Sequence, residues 1–148
     1  MPDSPPQIIA INHDDYHASH VGHTSDGRQF FLTNPFVPAI KDKGREFLAL
    51  YLFDEQGHFI EAHIDDLGTR NNFDHEKSQR LHQRRLEELG PITYGRIEVQ
   101  PFQLERFDTT FGLVLRVPEE EEDVWCVEIQ PGNYMAFFEP WDSGEYDT

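Results

Sequence analysis

The chain has 148 residues, enough for one domain with its own core, and its 12 Phe, 5 Tyr and 2 Trp are spread along the whole length. Its net charge of −16 disfavours nucleic acid and anionic membrane surfaces as partners. A lone Cys126 excludes an internal disulfide, no apolar run reaches the roughly 18–20 residues of a membrane span, and the start of the chain lacks the pattern of a secretory signal, so a cytoplasmic protein is expected.

Residues 1–6 read as a short flexible N-terminus, and the β-branched run 7–11 (QIIAI) as the first strand. The stretch 13–23 (HDDYHASHVGH) holds His13, His17, His20 and His23, which a helix would align on one side. Ser19 and Gly22 are poor helix residues, however, and Asp26-Gly27 signals a hairpin that requires a strand just before it. A strand through this stretch puts His17 and His23 on one face, roughly 20 Å apart, and His20 on the other, so the four rings do not converge on one ion. Pro35 and Pro38 then interrupt the ladder.

Residues 47–53 are apolar on both sides, the pattern of a central strand covered on both faces, and DEQG (54–57) turns the chain into a second hairpin. In the following strand Ile60, Ala62 and Ile64 point one way and Glu61, His63 and Asp65 the other. Residues 70–90 carry the one convincing helix, centred on about 73–89. Asn71, Asn72 or Asp74 would cap its start and Gly90-Pro91 its end. Its inward arc, Leu81, Leu86 and Leu89 together with His75, Ser78, His82 and Arg85, is narrow and chemically mixed. Further strands are predicted at 94–107 (with Pro101 as an edge, a bulge or a new start), 111–117, 124–130 and 134–141. The expected fold is α+β: a single domain with a mainly antiparallel, twisted sheet of about 7–9 strands and one main helix packed on one face.

No zinc signature, phosphate loop, dinucleotide fingerprint or nucleophile elbow occurs, and Cys126 in an apolar strand reads as an inert thiol, so no catalytic residue is assigned. One strand face, Glu61, His63 and Asp65, has the donor types for a divalent metal or for acid–base work. The competing reading is an ordinary solvated strand face. Arg70, Lys77, Arg80, Arg84 and Arg85 give the helix a basic part that would bind a phosphate, an acidic partner or the chain's own acidic C-terminal region, the competing reading being a solvated, ion-paired face.

Charge is also distributed unevenly. The first 116 residues hold 12 basic and 18 acidic side chains, whereas no Lys or Arg follows Arg116 and ten acids do. Five of these, Glu119, Glu120, Glu121, Glu122 and Asp123, form one loop, and the later ones alternate with aromatics through an acidic tail at about 142–148. Aromatic anchors ringed by carboxylates suit a basic protein surface, which makes Tyr134, Phe138, Trp141 and Asp142 partner-binding candidates beside the loop. In general character, a small acidic cytosolic α+β protein without a catalytic motif, the chain resembles the immunity and antitoxin proteins that bacteria keep against basic toxin enzymes. The expected function is non-enzymatic binding of a basic protein partner, an inhibitor of that type being the sharpest version. A small metal-dependent or acid–base enzyme built on Glu61, His63 and Asp65 is the first alternative, and a structural subunit of a larger assembly the second.

Overall fold

The computed structural model describes residues 5–38, 44–69 and 72–148. Strand β5 (Arg45–Phe53) lies at its centre. Strict alternation sends Phe47, Ala49, Tyr51 and Phe53 to one face and Leu48, Leu50 and Leu52 to the other. All seven side chains are buried, each worth roughly 1.5–3 kcal/mol when large and apolar, so this strand is anchored from both sides as its sequence predicts.

Around it assemble β1 (Ile9–Ile11), β2 (Val21–Thr24), β3 (Gln29–Thr33), β4 (Phe36–Val37), β6 (Phe59–Thr69), helix α1 (His75–Glu88), β7 (Ile92–Tyr94), β8 (Ile97–Val99), β9 (Phe102–Arg106), β10 (Thr109–Arg116), β11 (Cys126–Gln130) and β12 (Ala136–Phe137). All the pairings are antiparallel. Strand β5 pairs β6 along one edge and β3, then β4, along the other; β2 and β7 complete this six-stranded sheet. A four-stranded sheet has the order β12-β11-β10-β9, and β1 pairs with β8 alone. The antiparallel α+β fold is therefore as expected, with its strands divided among three sheets. Pro35 separates β3 from β4, Pro101 starts a new strand, and several strands have only two or three residues.

The larger core fills the space between the phenylalanine-rich face of the six-stranded sheet and the other two sheets, where Ile9, Ile97, Phe111, Val127 and Phe137 meet Phe31, Phe47 and Tyr51. The opposite face carries Phe30, Leu32, Leu48, Leu50 and Leu52 and is covered by Leu81 and Leu86 of α1 with Leu89 just beyond its end. Asp74 caps α1 by accepting the Lys77 amide at 3.1 Å, and Gly90 closes it by donating to the Glu87 carbonyl at 3.0 Å. Arg70 and Asn71 lie outside the described residues. No residue within α1 is fully buried, in keeping with its mixed inward arc, although His75 points outward and is exposed.

Two local readings change. Only Val21–Thr24 of the histidine-rich stretch is strand, and residues 13–20 form a turn. Asp14 organises that turn, its Oδ1 accepting the amides of Tyr16 at 2.8 Å and Ala18 at 3.0 Å. A short acceptor side chain thus outcompetes the ladder for the backbone donors. The hairpin after it forms as expected, with Gly27 at φ 88° and the Thr24 amide donating to the Arg28 carbonyl at 2.9 Å. Residues 142–148, expected to trail off, instead fold back: Asn12 donates its amide to the Gly144 carbonyl at 2.9 Å, and Ala136 and Asp147 exchange backbone bonds of 2.9 and 2.8 Å. Gly144 has φ 80°, and a Cβ there would stand 2.3 Å from Asn12 Oδ1, so only glycine permits the approach. No described helix is long and apolar enough to cross a membrane.

Candidate functional site

The ten-acid end of the chain is built on the β10–β11 connection. Both strands are pinned by buried residues, Leu113 in β10 and Val127 and Ile129 in β11, so the loop between them projects from a fixed base. Asp123 holds the loop as a turn: its Oδ2 accepts the amides of Glu119 at 3.2 Å and Glu120 at 3.1 Å, and its own amide donates to the Glu120 carbonyl at 3.0 Å. All five acids, 119–123, are exposed. The nearest guanidinium, Arg116, is engaged by Glu128 at 2.6 Å. Cys126 lies behind this pair; burial, and then the Glu128 carboxylate, push its thiol pKa up, so it remains a protonated and unreactive thiol.

Three apolar side chains open to solvent here: Val117 (60% exposed), Val124 (51%) and Phe138 (37%). They line, with Glu119, Glu122 and Asp123, a hollow of about 340 Å³. Phe138 also borders a second hollow of about 810 Å³, between the Asp14–Tyr16 turn and residues 139–148. That hollow is lined by Tyr16, Tyr146, Glu139, Glu145 and Asp147 among others, with no Lys or Arg on its wall. Its aromatic side is preorganised. Tyr146 donates to Asp14 Oδ2 at 2.5 Å, and burial together with that bond pushes its phenol pKa up to about 12. Burial works against the Asp14 carboxylate, but the Tyr146 hydroxyl and the two turn amides outweigh it and hold its pKa below the usual carboxylate range.

The structure brings the loop Glu119–Asp123 and Phe138 together and separates the other partner-binding candidates from them. Tyr134 is half-buried, hydrogen-bonded to Thr33 Oγ1 at 2.6 Å and stacked on Phe36, and it lines a different hollow from Phe138. Trp141 is half-buried against the large core, and its carbonyl accepts the Ala10 amide at 2.9 Å. Asp142 is exposed, and its carbonyl takes a 2.6 Å bond from Arg96.

On β6 the expected alternation holds, with Glu61, His63 and Asp65 opposite Leu52, Leu50 and Leu48, on the side of the sheet that α1 covers. They do not act as a set. Both Asp65 oxygens accept from Arg85, at 3.0 and 2.9 Å, while His63 stands 3.5 Å from Glu61. Among the described residues no group of three His, Cys, Asp or Glu side chains could hold a metal ion. The Arg85–Asp65 fork instead ties α1 to the sheet edge. That partner for the basic helix was not visible from charge alone.

The histidines of the opening turn disperse, as expected, though by a different geometry. His13 stacks on Tyr94 at 5.4 Å, His23 bonds the Arg96 carbonyl at 2.8 Å, and His17 lies against Tyr16, Tyr134 and Tyr146. His20 meets His82 of α1, ring centroids 4.4 Å apart, and takes Ser19 Oγ at 2.9 Å from its Nδ1. The Ser19–His20 bond resembles an activated hydroxyl. Yet burial, then the neighbouring His82 and His13, hold the His20 ring below the ordinary imidazole pKa and make it a poor base. Periodicity had turned His82 inward; its meeting with His20, about sixty residues earlier, has no local signal.

The molecule so defined is an antiparallel α+β domain in which Phe138 and exposed acids border two adjoining hollows. No family model, curated protein or solved structure matches the chain.

Proposed function

We propose that this chain is a non-enzymatic acidic binding protein that engages a basic protein surface through the face centred on Phe138, in the manner of an immunity or antitoxin-type inhibitor. One observation carries the reading. Val117, Val124 and Phe138, all exposed, border a hollow that Glu119, Glu122, Asp123 and Glu128 also line, its one cation being Arg116, which Glu128 engages, next to a second acidic hollow that shares Phe138. An apolar centre inside a charged rim is the composition of protein interfaces, in which the centre sets residence time and the rim sets encounter rate. Five exposed carboxylates on one loop attract cations and repel nucleic acid, so the partner is a basic protein. The buried, unpaired thiol of Cys126 fits a reducing cytoplasm.

The test uses the whole chain as bait in a lysate of its source cells, alongside two variants, Phe138→Ala and one with residues 119–123 all changed to Ser. A basic protein held by the wild type should dissociate faster from Phe138→Ala. It should associate more slowly with the serine variant, whose association rate should also depend less on salt. Salt dependence unchanged by the serine replacement would overturn the electrostatic reading, and a partner of acidic composition would overturn the reading as a whole.

A further inference from the structure

Helix α1 meets the turn that enters β2 through two imidazoles. His20 and His82 touch edge to face with centroids 4.4 Å apart, both half-buried. Tyr94 of β7 closes one side, 5.8 Å from His20, and His13 stacks behind it. The pair stands where two hollows adjoin. One, of about 730 Å³, lies along α1 and is bordered by Leu86, Ile92 and Tyr94; the other, of about 270 Å³, is bordered by His17, Thr33 and Tyr134. His20 and His82 line both.

The charged and titratable groups around the pair offer a proton no compensation. From the turn come His13, Asp14, Tyr16 and His17; Asp14 is committed to Tyr146 and to two turn amides. From α1 comes Glu87, exposed and bonded to Gln83 at 3.3 Å, while Arg85 is engaged by Asp65 and Glu88. Residues 32–36 contribute Leu32, Thr33, Asn34 and Phe36, none of them charged, and β7 and the C-terminal segment contribute Tyr94 and Tyr134. Burial comes first among the influences on both rings, and for His20 the neighbouring His82 and His13 act in the same direction, so both pKa values fall below the ordinary 6.5.

We propose that His20 and His82 are an acid-released latch: with both rings neutral, α1 is closed on the entrance to β2, and protonation drives the rings apart and joins the two flanking hollows into one cleft. The helix is suited to this because none of its residues is fully buried. The sign follows from proton linkage. Groups whose pKa is lowered by docking bind fewer protons when docked, so the closed form has its full stability above pH 6.5 and loses it as pH falls through the lowered values. Two histidines side by side also couple, the second proton meeting the charge of the first.

The experiment follows the two imidazoles by NMR titration, and the amide exchange of α1 against that of β3 and β5 in the same full chain, in wild type and His82→Phe. In wild type, acidification from about pH 7.5 to 5 should lower the protection of α1 by about tenfold for each unit by which a ring's pKa is depressed, corrected for intrinsic exchange, with β3 and β5 unchanged. His82→Phe keeps an aromatic ring in place and should keep α1 protected across that range. Equal loss of protection in α1 and β5, or an acid response in His82→Phe equal to wild type, would overturn the latch. Should His82→Phe leave α1 unprotected at neutral pH, the wild-type titration decides: both rings protonating at or above about 6.5 overturns the proposal, and both below it supports the proposal.

Discussion

The two faces of the six-stranded sheet are closed by different means. One is sealed by two further sheets, and aromatic and branched side chains such as Ile9, Phe31, Phe47, Tyr51 and Phe111 lie there at zero exposure. The other is covered by a single helix whose contributions, Leu81 and Leu86, are only partly buried and are supplemented by the Arg85–Asp65 fork and the His20–His82 contact. Apolar burial is insensitive to pH, whereas ion pairs and imidazole contacts are not. The first face therefore supplies the bulk of the stability, and the second supplies a place where conditions can act. The acidic face centred on Phe138 is carried by β10 and β11, on the side of the six-stranded sheet away from α1.

That contrast can be broken in order of expected effect. Phe111→Ala removes a ring packed edge to face on Phe47 at 5.0 Å and should cost about 3–5 kcal/mol in denaturant unfolding. A loss near 1 kcal/mol would mean that the sheet–sheet core is loose. Arg85→Ala leaves Asp65 without its fork at a site about one-fifth exposed. Partial solvent screening makes the expected cost about 1–3 kcal/mol, concentrated in faster amide exchange of α1. Global exchange at the same rate as α1 would show that helix and sheets are one cooperative unit. Tyr51→Phe should raise stability by about 1 kcal/mol, because the Tyr51 hydroxyl is buried with no partner among the described residues; a lower melting temperature would reveal a bond to that hydroxyl. Serines in place of Glu119 to Glu122 should change stability by less than about 0.5 kcal/mol per position, since all four are exposed, whereas Asp123→Ser should also loosen the turn that its carboxylate holds.

Much of this could be read along the chain. Period-two alternation placed the two faces of β5 and of β6, the Asp26-Gly27 and DEQG turns came where glycine was needed, and Asp74 and Gly90 bounded the helix within a residue or two. The turn at 13–20 was missed because Asp14 satisfies backbone amides from its side chain, a choice that hydrophobic patterning does not register. Of the partner-binding set, the loop and Phe138 came together as one surface, while Thr33 and Phe36 hold Tyr134 at a different hollow.

The sequence by itself determined the alternating faces, the turns, the caps and the lopsided charge, because each depends on neighbours within a few residues or on composition. Only the tertiary structure decided which polar groups would meet. It matched Asp65 with Arg85, set His20 against His82, and folded residues 142–148 back along Asn12 and Ala136. Those choices turn on contacts between distant segments whose geometry is set by how three sheets and a helix pack, and a local pattern carries no record of that packing.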